Sequence, residues 1–449
     1  MHVPTPSCCL HFGQKPWPKW LDVYLGTHQC RPPKVKAENP IVLATRKWLA
    51  TVPVEVESVT GLGRHNALLA QTPKRFSVYE PLVLLPAGSF HTPQWRALLS
   101  HPQLDEPSLH HLWVAILDEI SRTHSHSGLS THLAINEGIP VRCPAHDPVS
   151  DDGVAQEADR TDNVLRSPKG LRMLYGDFGP SQAPANPSAE DFDRALWVST
   201  KQNGIYQTWA PRWTMFSRGN VKEKARLLNF HNDDTWPHRF AVAPGSEGQW
   251  AVDLYAGIGY FTFSYARLRL RVLCWELNPW SVEALCRGGK ANGWGVKIVK
   301  GDDLLRPSAE LVSGDERIIV FLEDNREAAR RLQDIRASGL RLDIVHVNAG
   351  MLPTSEETWR PAWDMAALEG EVSWLHLHEN VGFSDLGRRR EEIQNLFDDC
   401  AAVSEKNGTG NSRHAKVEHV ELVKTYAPDV WHCVFDVCIK RIYTENSCP

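Results

Sequence analysis

From residue 249 to 442 short apolar runs alternate with helical patterns, and this alternation narrows the possible folds more than any other feature of the chain. The apolar runs are Trp250–Tyr255, Val272–Trp275, Ile318–Leu322, Ile344–Val347 and Val372–Leu377. Ser281–Asn292 and Arg326–Ala337 are helical patterns between them. Strands linked through helices cross over right-handedly and build a mostly parallel sheet. The end of the chain breaks the rule. Glu418–Tyr426 and Trp431–Lys440 are joined by Ala427-Pro428-Asp429, a link that suits only antiparallel neighbours. The expected class is therefore α/β, Rossmann-like, with an antiparallel C-terminal hairpin.

Upstream, Leu196–Ser199 and Ile205–Trp209 flank Asn203-Gly204. That dipeptide supplies the two φ > 0 residues of a type I′ hairpin turn. Val221–Leu228 predicts a short helix. Residues 1–190 are read as an α+β region with flexible loops. Tyr79–Leu85 is strand-like and Leu109–Ser121 helix-like, while Asp147–Arg160 and Ser181–Glu190 have the composition of loops. The expected division is 1–190, 191–248 (hairpin, helix and a basic, RNA-facing segment) and 249–445 (the ligand-binding domain).

Composition excludes several classes. With 42% hydrophobic and 23% charged residues the chain resembles an ordinary globular protein. Its longest apolar runs, such as Leu82–Ala87, fall short of the roughly 20 residues a bilayer requires. The sequence MHVPTPSCCLHFGQKPW lacks the apolar core of a signal peptide, so a cytoplasmic location and no membrane are expected. Net charge is −5, so any nucleic-acid contact has to come from a local patch. The ten cysteines form no C-x-x-C, which argues for reduced, buried thiols and no metal.

The sharpest motif is Asp253-Leu-Tyr-Ala-Gly257-Ile-Gly259-Tyr-Phe261, between a strand and a helix. Gly257 and Gly259 permit a tight turn beside a ligand, and the helix start offers free N–H groups. Glu276 ends the next strand, 19 residues after Gly257, where a carboxylate accepts both hydroxyls of a ribose. The third glycine of the dinucleotide fingerprint is missing, since Thr262 stands there. Asp253 would repel a pyrophosphate but attract a cation. S-adenosylmethionine, with a sulfonium and an ammonium, fits these requirements. For the adenine, Asp324-Asn325 is favoured over Asp302-Asp303, which makes 295–317 an insertion.

Two further segments belong to the candidate site. Asn348-Ala-Gly-Met-Leu-Pro353 follows the fourth strand, where such sheets bind ligands. Residues 201–230 carry Lys201, Arg212, Arg218, Lys222, Lys224 and Arg226 against Glu223, a balance of 6 − 1 = +5, interleaved with Tyr206, Trp209, Trp213 and Phe216. Cations and aromatic faces together suit looped or single-stranded RNA. His376 and His378 alternate on one strand and are read as ordinary polar contacts.

These motifs have a familiar order. Residues 202–226 (QNGIYQTWAPRWTMFSRGNVKEKAR), 253–261 (DLYAGIGYF), 324–326 (DNR), 348–356 (NAGMLPTSE), 375–381 (LHLHENV) and 426–432 (YAPDVWH) together resemble the tRNA wybutosine-synthesizing protein 2 family, relatives of the tRNA (guanine-37-N1)-methyltransferases. The resemblance implies a class I S-adenosylmethionine-dependent methyltransferase fold. It also implies transfer of a 3-amino-3-carboxypropyl group to the tricyclic guanosine derivative (4-demethylwyosine) at position 37 of tRNA-Phe, with the anticodon region as partner. By position it implies that Ser217, Lys224, Glu276, Asp324 and Asn325 bind S-adenosylmethionine, beside Asp253, Gly257 and Gly259 of the motif above. Arg218 and Asn348 are the residues expected to act in the transfer. A guanine-37 N1-methyltransferase and an inactive tRNA-binding scaffold are the alternatives.

Overall fold

The computed structural model describes residues 38–52, 65–123, 129–138, 142–144, 160–182, 184–231, 248–366, 371–406 and 412–442. The polar stretch 145–159 lies outside them. Strands β1 (Ser77–Tyr79), β2 (Leu82–Leu85), β3 (His132–Ile135) and β6 (Arg172–Tyr175) form a small mixed sheet in the order β1-β2-β3-β6. Strands β4 (Arg142–Pro144) and β5 (Arg160–Asp162) pair separately. Tyr79–Leu85, expected as one strand, is instead an antiparallel pair, Tyr79 facing Leu82. Pro81 has no N–H for a ladder, so the chain turns there. Helix Glu106–Thr123 buries Leu112, Trp113, Ile116, Leu117 and Ile120, one helical stripe, in the core over this sheet.

Strands β7 (Val198–Gln202) and β8 (Ile205–Trp209) form the expected hairpin, with Asn203 at φ 51° and Gly204 at φ 77°. Tyr79, Leu82, Ala134 and Phe178 share one buried cluster with Val198, Trp209, Ile258 and Ala284. The small sheet, the hairpin and the C-terminal half thus meet in a common core.

The apolar runs of the C-terminal half become β9 (Gln249–Asp253), β10 (Arg271–Trp275), β11 (Val296–Val299), β12 (Ile318–Phe321), β13 (Asp343–Ala349), β14 (Val372–Gly382), β15 (Ser412–Ala427) and β16 (Val430–Ile442). Their order is β11-β12-β10-β9-β13-β14-β16-β15, parallel through β14 and antiparallel around β16. This is the Rossmann-like methyltransferase class, with the antiparallel C-terminal hairpin. Segment 295–317 adds β11 to the edge of the sheet, outside β12. Helix Pro279–Ala291 starts earlier than its apolar pattern because Asn278 caps it, accepting from Trp280 N (3.0 Å), and Pro279 needs no partner.

A polar ladder runs through one face of this sheet. His231 Nε2 lies 2.9 Å from His346 Nε2, and His346 Nδ1 3.0 Å from His376 Nε2. His376 Nδ1 lies 2.6 Å from Asp436 Oδ1. Arg226 donates to both oxygens of Asp436 (2.7 and 3.1 Å) and to both of Glu223 (2.8 and 2.6 Å). His378 pairs with His432 at 2.9 Å. His376 and His378 therefore make polar contacts inside the protein. Cys274, Cys286, Cys400, Cys433 and Cys438 are free and buried. No helix among the described residues is long and apolar enough to cross a membrane.

Candidate cofactor and RNA site

The carboxyl ends of β10, β9 and β13 lie side by side, and their loops form one hydrogen-bonded unit. Every residue of β9 is buried. Asp253, at its end, is wholly buried and accepts from Thr262 Oγ1 (2.8 Å) and Asn348 Nδ2 (3.1 Å). Burial raises its carboxyl, while these two donors oppose the rise. Gly257 and Gly259 have φ of 54° and 89°. A Cβ on Gly259 would lie 2.6 Å from the Phe263 ring, so only glycine fits.

Glu276 closes the loop. Its two oxygens accept from Gly257 N and Asn278 N, both at 2.8 Å. Burial pushes the carboxyl up to about 6, against the pull of these amides, so it is largely ionised at neutral pH. Asn325 follows β12, the strand beside β10, and donates to Leu254 O at 2.9 Å. Asp324 is held below the usual carboxylate range by Arg326. Asp302 and Asp303 follow the edge strand β11, one strand farther from β9.

Asn348 is buried, and its Oδ1 has no hydrogen-bond partner among the described residues. Ser217 N donates to Tyr260 Oη at 3.3 Å, and Lys424 Nζ donates to Ser217 Oγ at 3.4 Å. Lys224 is buried, donating to Gln202 Oε1 (2.7 Å) and Gln207 Oε1 (2.6 Å). Its Nζ lies 6.0 Å from the centre of the Tyr260 ring. Burial pushes its ammonium down to about 7. Asp253, Gly257, Glu276, Asn325 and Asn348 are thus linked around β9. Ser217 and Lys224 approach through Tyr260. Arg218 is exposed and donates to Ser77 Oγ of β1.

Residues 201–230 do not form one outward cationic face. Lys201, Arg218 and Lys222 are exposed, and Lys222 pairs with Glu421 at 2.6 Å. Lys224 and Arg226 point inward, and Trp209 stacks on Phe216 with centroids 4.4 Å apart. A charge count along the chain cannot register partners such as Asp436, supplied from β16.

One feature had no sequence signal. Asn278 Nδ2 donates to Leu165 O (3.3 Å), and Arg166 Nη2 donates to Leu352 O (2.6 Å). Leu165–Arg166 therefore spans from the loop after β10 to the loop after β13, across the end of β9. Arg166 has a φ of 52°, which is strained for a side-chain-bearing residue.

No family model matches the chain. Among curated proteins it is 39% identical over 367 residues to tRNA wybutosine-synthesizing protein 2 of Schizosaccharomyces pombe, covering 81% of this chain and 72% of that protein. It is 34% identical over 396 residues to the protein of the same name in Saccharomyces cerevisiae, covering 82% and 75%. A third relative, tRNA(Phe) (4-demethylwyosine(37)-C(7)) aminocarboxypropyltransferase of Methanocaldococcus jannaschii, is 26% identical over 231 residues, 51% of this chain and 69% of that one. With the two yeast proteins matched along most of their length, this chain belongs to the tRNA wybutosine-synthesizing protein 2 family.

Proposed function

We propose that this protein transfers the 3-amino-3-carboxypropyl group of S-adenosylmethionine to the tricyclic guanosine derivative 4-demethylwyosine at position 37 of tRNA-Phe. The observation that carries the reading is the meeting of Glu276 and Asn348 on either side of β9, in a chain of this family. One is a carboxylate suited to ribose hydroxyls. The other presents a buried oxygen without a donor, suited to an ammonium. The residues present therefore fit S-adenosylmethionine.

In this reading Glu276 binds the ribose, and Asp324-Asn325 borders the adenine. Gly257 and Gly259 let the backbone approach the ligand. Asp253 fixes the Asn348 amide and places negative charge behind it. Ser217 and Lys224 face the methionine end, and Arg218 holds its carboxylate or the RNA backbone. Residues 1–190, 191–248 and 249–445 divide the work between an N-terminal region, an RNA-facing subdomain and the cofactor domain. The partner is the anticodon region of the tRNA, and the location is cytoplasmic. When bound, S-adenosylmethionine supplies carbons activated by the sulfonium, the bonding pair leaving with sulfur. The carbon held in line with the RNA base is the one that reacts, because orientation supplies much of the rate.

Labelled S-adenosylmethionine tests the proposal. Carboxyl label should enter tRNA carrying the tricyclic base, and methyl label should leave as methylthioadenosine. Methyl label in the RNA, with adenosylhomocysteine as by-product, would make the protein a methyltransferase. Separately, Glu276→Ala should weaken S-adenosylmethionine binding by about 1.5–3 kcal/mol, the range for hydrogen bonds to a charged group. Calorimetry giving parental affinity in a folded variant removes Glu276 from the site.

A further inference from the structure

Beside the cofactor crevice lies a second concavity of about 510 Å³, within the roughly 300–1,000 Å³ common for small-ligand sites. Its walls come from residues between Leu165 and Met173, from Gln182, Pro184 and Ala185, and from Arg212-Trp213 and Asn278–Trp280. Two of its lining residues hold buried donors with no acceptor among the described residues, Arg212 Nε and Trp213 Nε1. A buried N–H without an acceptor is costly, so the pair favours a ligand that supplies one. Arg212 and Lys169 are the charged residues of the lining, and no carboxylate among the described residues contributes to it. The carboxylate that acts electrostatically on Arg212 is Asp177, whose Oδ1 already accepts from Gly179 N at 2.8 Å.

Trp213 lies nearly parallel to Trp280, with centroids 5.0 Å apart and planes 16° apart. Trp280 is buried and held edge-on by Phe192 at 4.8 Å, so this wall is rigid. Asn278 belongs to the groove and stands two residues after Glu276, while Leu165 belongs to both the groove and the span across β9. The groove thus adjoins the loop that carries Glu276 and the Leu165–Arg166 span across the end of β9.

We infer that this groove takes a nucleotide of the RNA strand next to the modified base, its phosphate accepting from Arg212 and Trp213 and its nucleoside lying along the apolar wall. Charge-assisted donors to phosphate with a flanking aromatic surface are how proteins hold single-stranded nucleic acid without reading a sequence. The inference rests on the tRNA reading above and adds where the strand lies.

The test uses the full chain and a labelled single-stranded oligoribonucleotide with the anticodon-loop sequence of tRNA-Phe. Arg212→Met with Trp213→Phe keeps the ring stack and removes both donors. Ala185→Glu, at an exposed rim position, puts a carboxylate into the groove with little risk to folding. Both variants should raise the Kd for RNA at least tenfold and leave S-adenosylmethionine affinity within twofold. Parental RNA affinity in both variants overturns the groove assignment alone, provided the parent binds and modifies tRNA. Polyphosphate displacing the RNA as well as an unlabelled oligoribonucleotide of equal charge also overturns it, since the groove would then read charge only. A parent that binds no RNA overturns this inference together with the tRNA reading. Loss of binding in the variants, alongside methyl transfer by the parent, supports the groove while refuting the proposed reaction.

Discussion

Arg226→Met should lower the unfolding free energy at pH 7 by about 3–5 kcal/mol, the cost of breaking a buried ion pair by removing one partner. Arg226 bridges Glu223 and Asp436, both with wholly buried side chains. Burial pushes both carboxyls up. For Asp436, Arg226 and His376 outweigh that push and hold it below the ordinary value, whereas Glu223 stays raised. Methionine fills similar space but leaves two buried carboxylates without the guanidinium between them, only the His376 imidazole remaining beside Asp436. Both should then take up protons above their ordinary range. The deficit of the variant should accordingly shrink as pH falls from 7 toward 5. Adding Glu223→Gln and Asp436→Asn should restore most of the loss, because a neutral set of similar shape has no charge to bury. Urea unfolding of the three proteins measures this. A single variant within 1 kcal/mol of the parent would mean that solvent reaches the cluster.

The second large effect is acid sensitivity. Burial depresses His346 and His378 well below the ordinary imidazole value, and it pushes His432 down to about 4. A group whose folded pKa is depressed binds its proton first in the unfolded chain. Stability from His432 is therefore present above about 6.5 and is lost as pH falls toward 4, a total of about 3 kcal/mol at 1.36 kcal/mol per unit. Asp253, Glu223 and Glu276 have raised folded values and titrate with the opposite sign. The histidine effect is therefore read as a difference. His432→Gln should gain about 3 kcal/mol relative to the parent between pH 7 and pH 4, whatever its offset at neutral pH. Parallel stability curves for the two proteins would place a solvated, ordinary imidazole at this position.

Local chemistry decided what could be read in advance. The parallel sheet announced itself because β10 and β12 are almost wholly apolar and β9 carries an apolar Trp250–Val252 centre, as strands covered on both faces must. Asn203-Gly204 and Gly257-x-Gly259 were legible because each requires positive φ in a short span. Strand β11, Val296–Val299, stood only as the weaker candidate for the third strand, since its edge position leaves three of four residues half-buried and gives it no continuous apolar run. The upstream sheet was also hidden. Its strands of three or four residues draw their stability from helices and a hairpin distant in sequence. Of the candidate site, the residues on the loops after β9, β10 and β13 could be placed from motif spacing. The inward turn of Lys224 and Arg226 could not, because Gln207 and Asp436 decide it. Nor could Leu165–Arg166, whose partners are a backbone carbonyl and an amide on other loops.

That last span bears on whether the chain is modular. Its bonds to Asn278 and Leu352 tie the width of the mouth above β9 to a segment upstream of the hairpin. The same segment leads through Leu171, in contact with the core shared by Tyr79, Phe178 and Trp209, into β6. A chain severed near residue 190 would therefore not release a self-contained catalytic half. It would leave the loops after β10 and β13 unlatched from each other and a shared apolar core cut open. On the proposed reaction, the opening above β9 through which a base would pass is set partly from outside the large sheet. Changes in the upstream sheet can then alter which acceptors are admitted without touching a residue of the motifs.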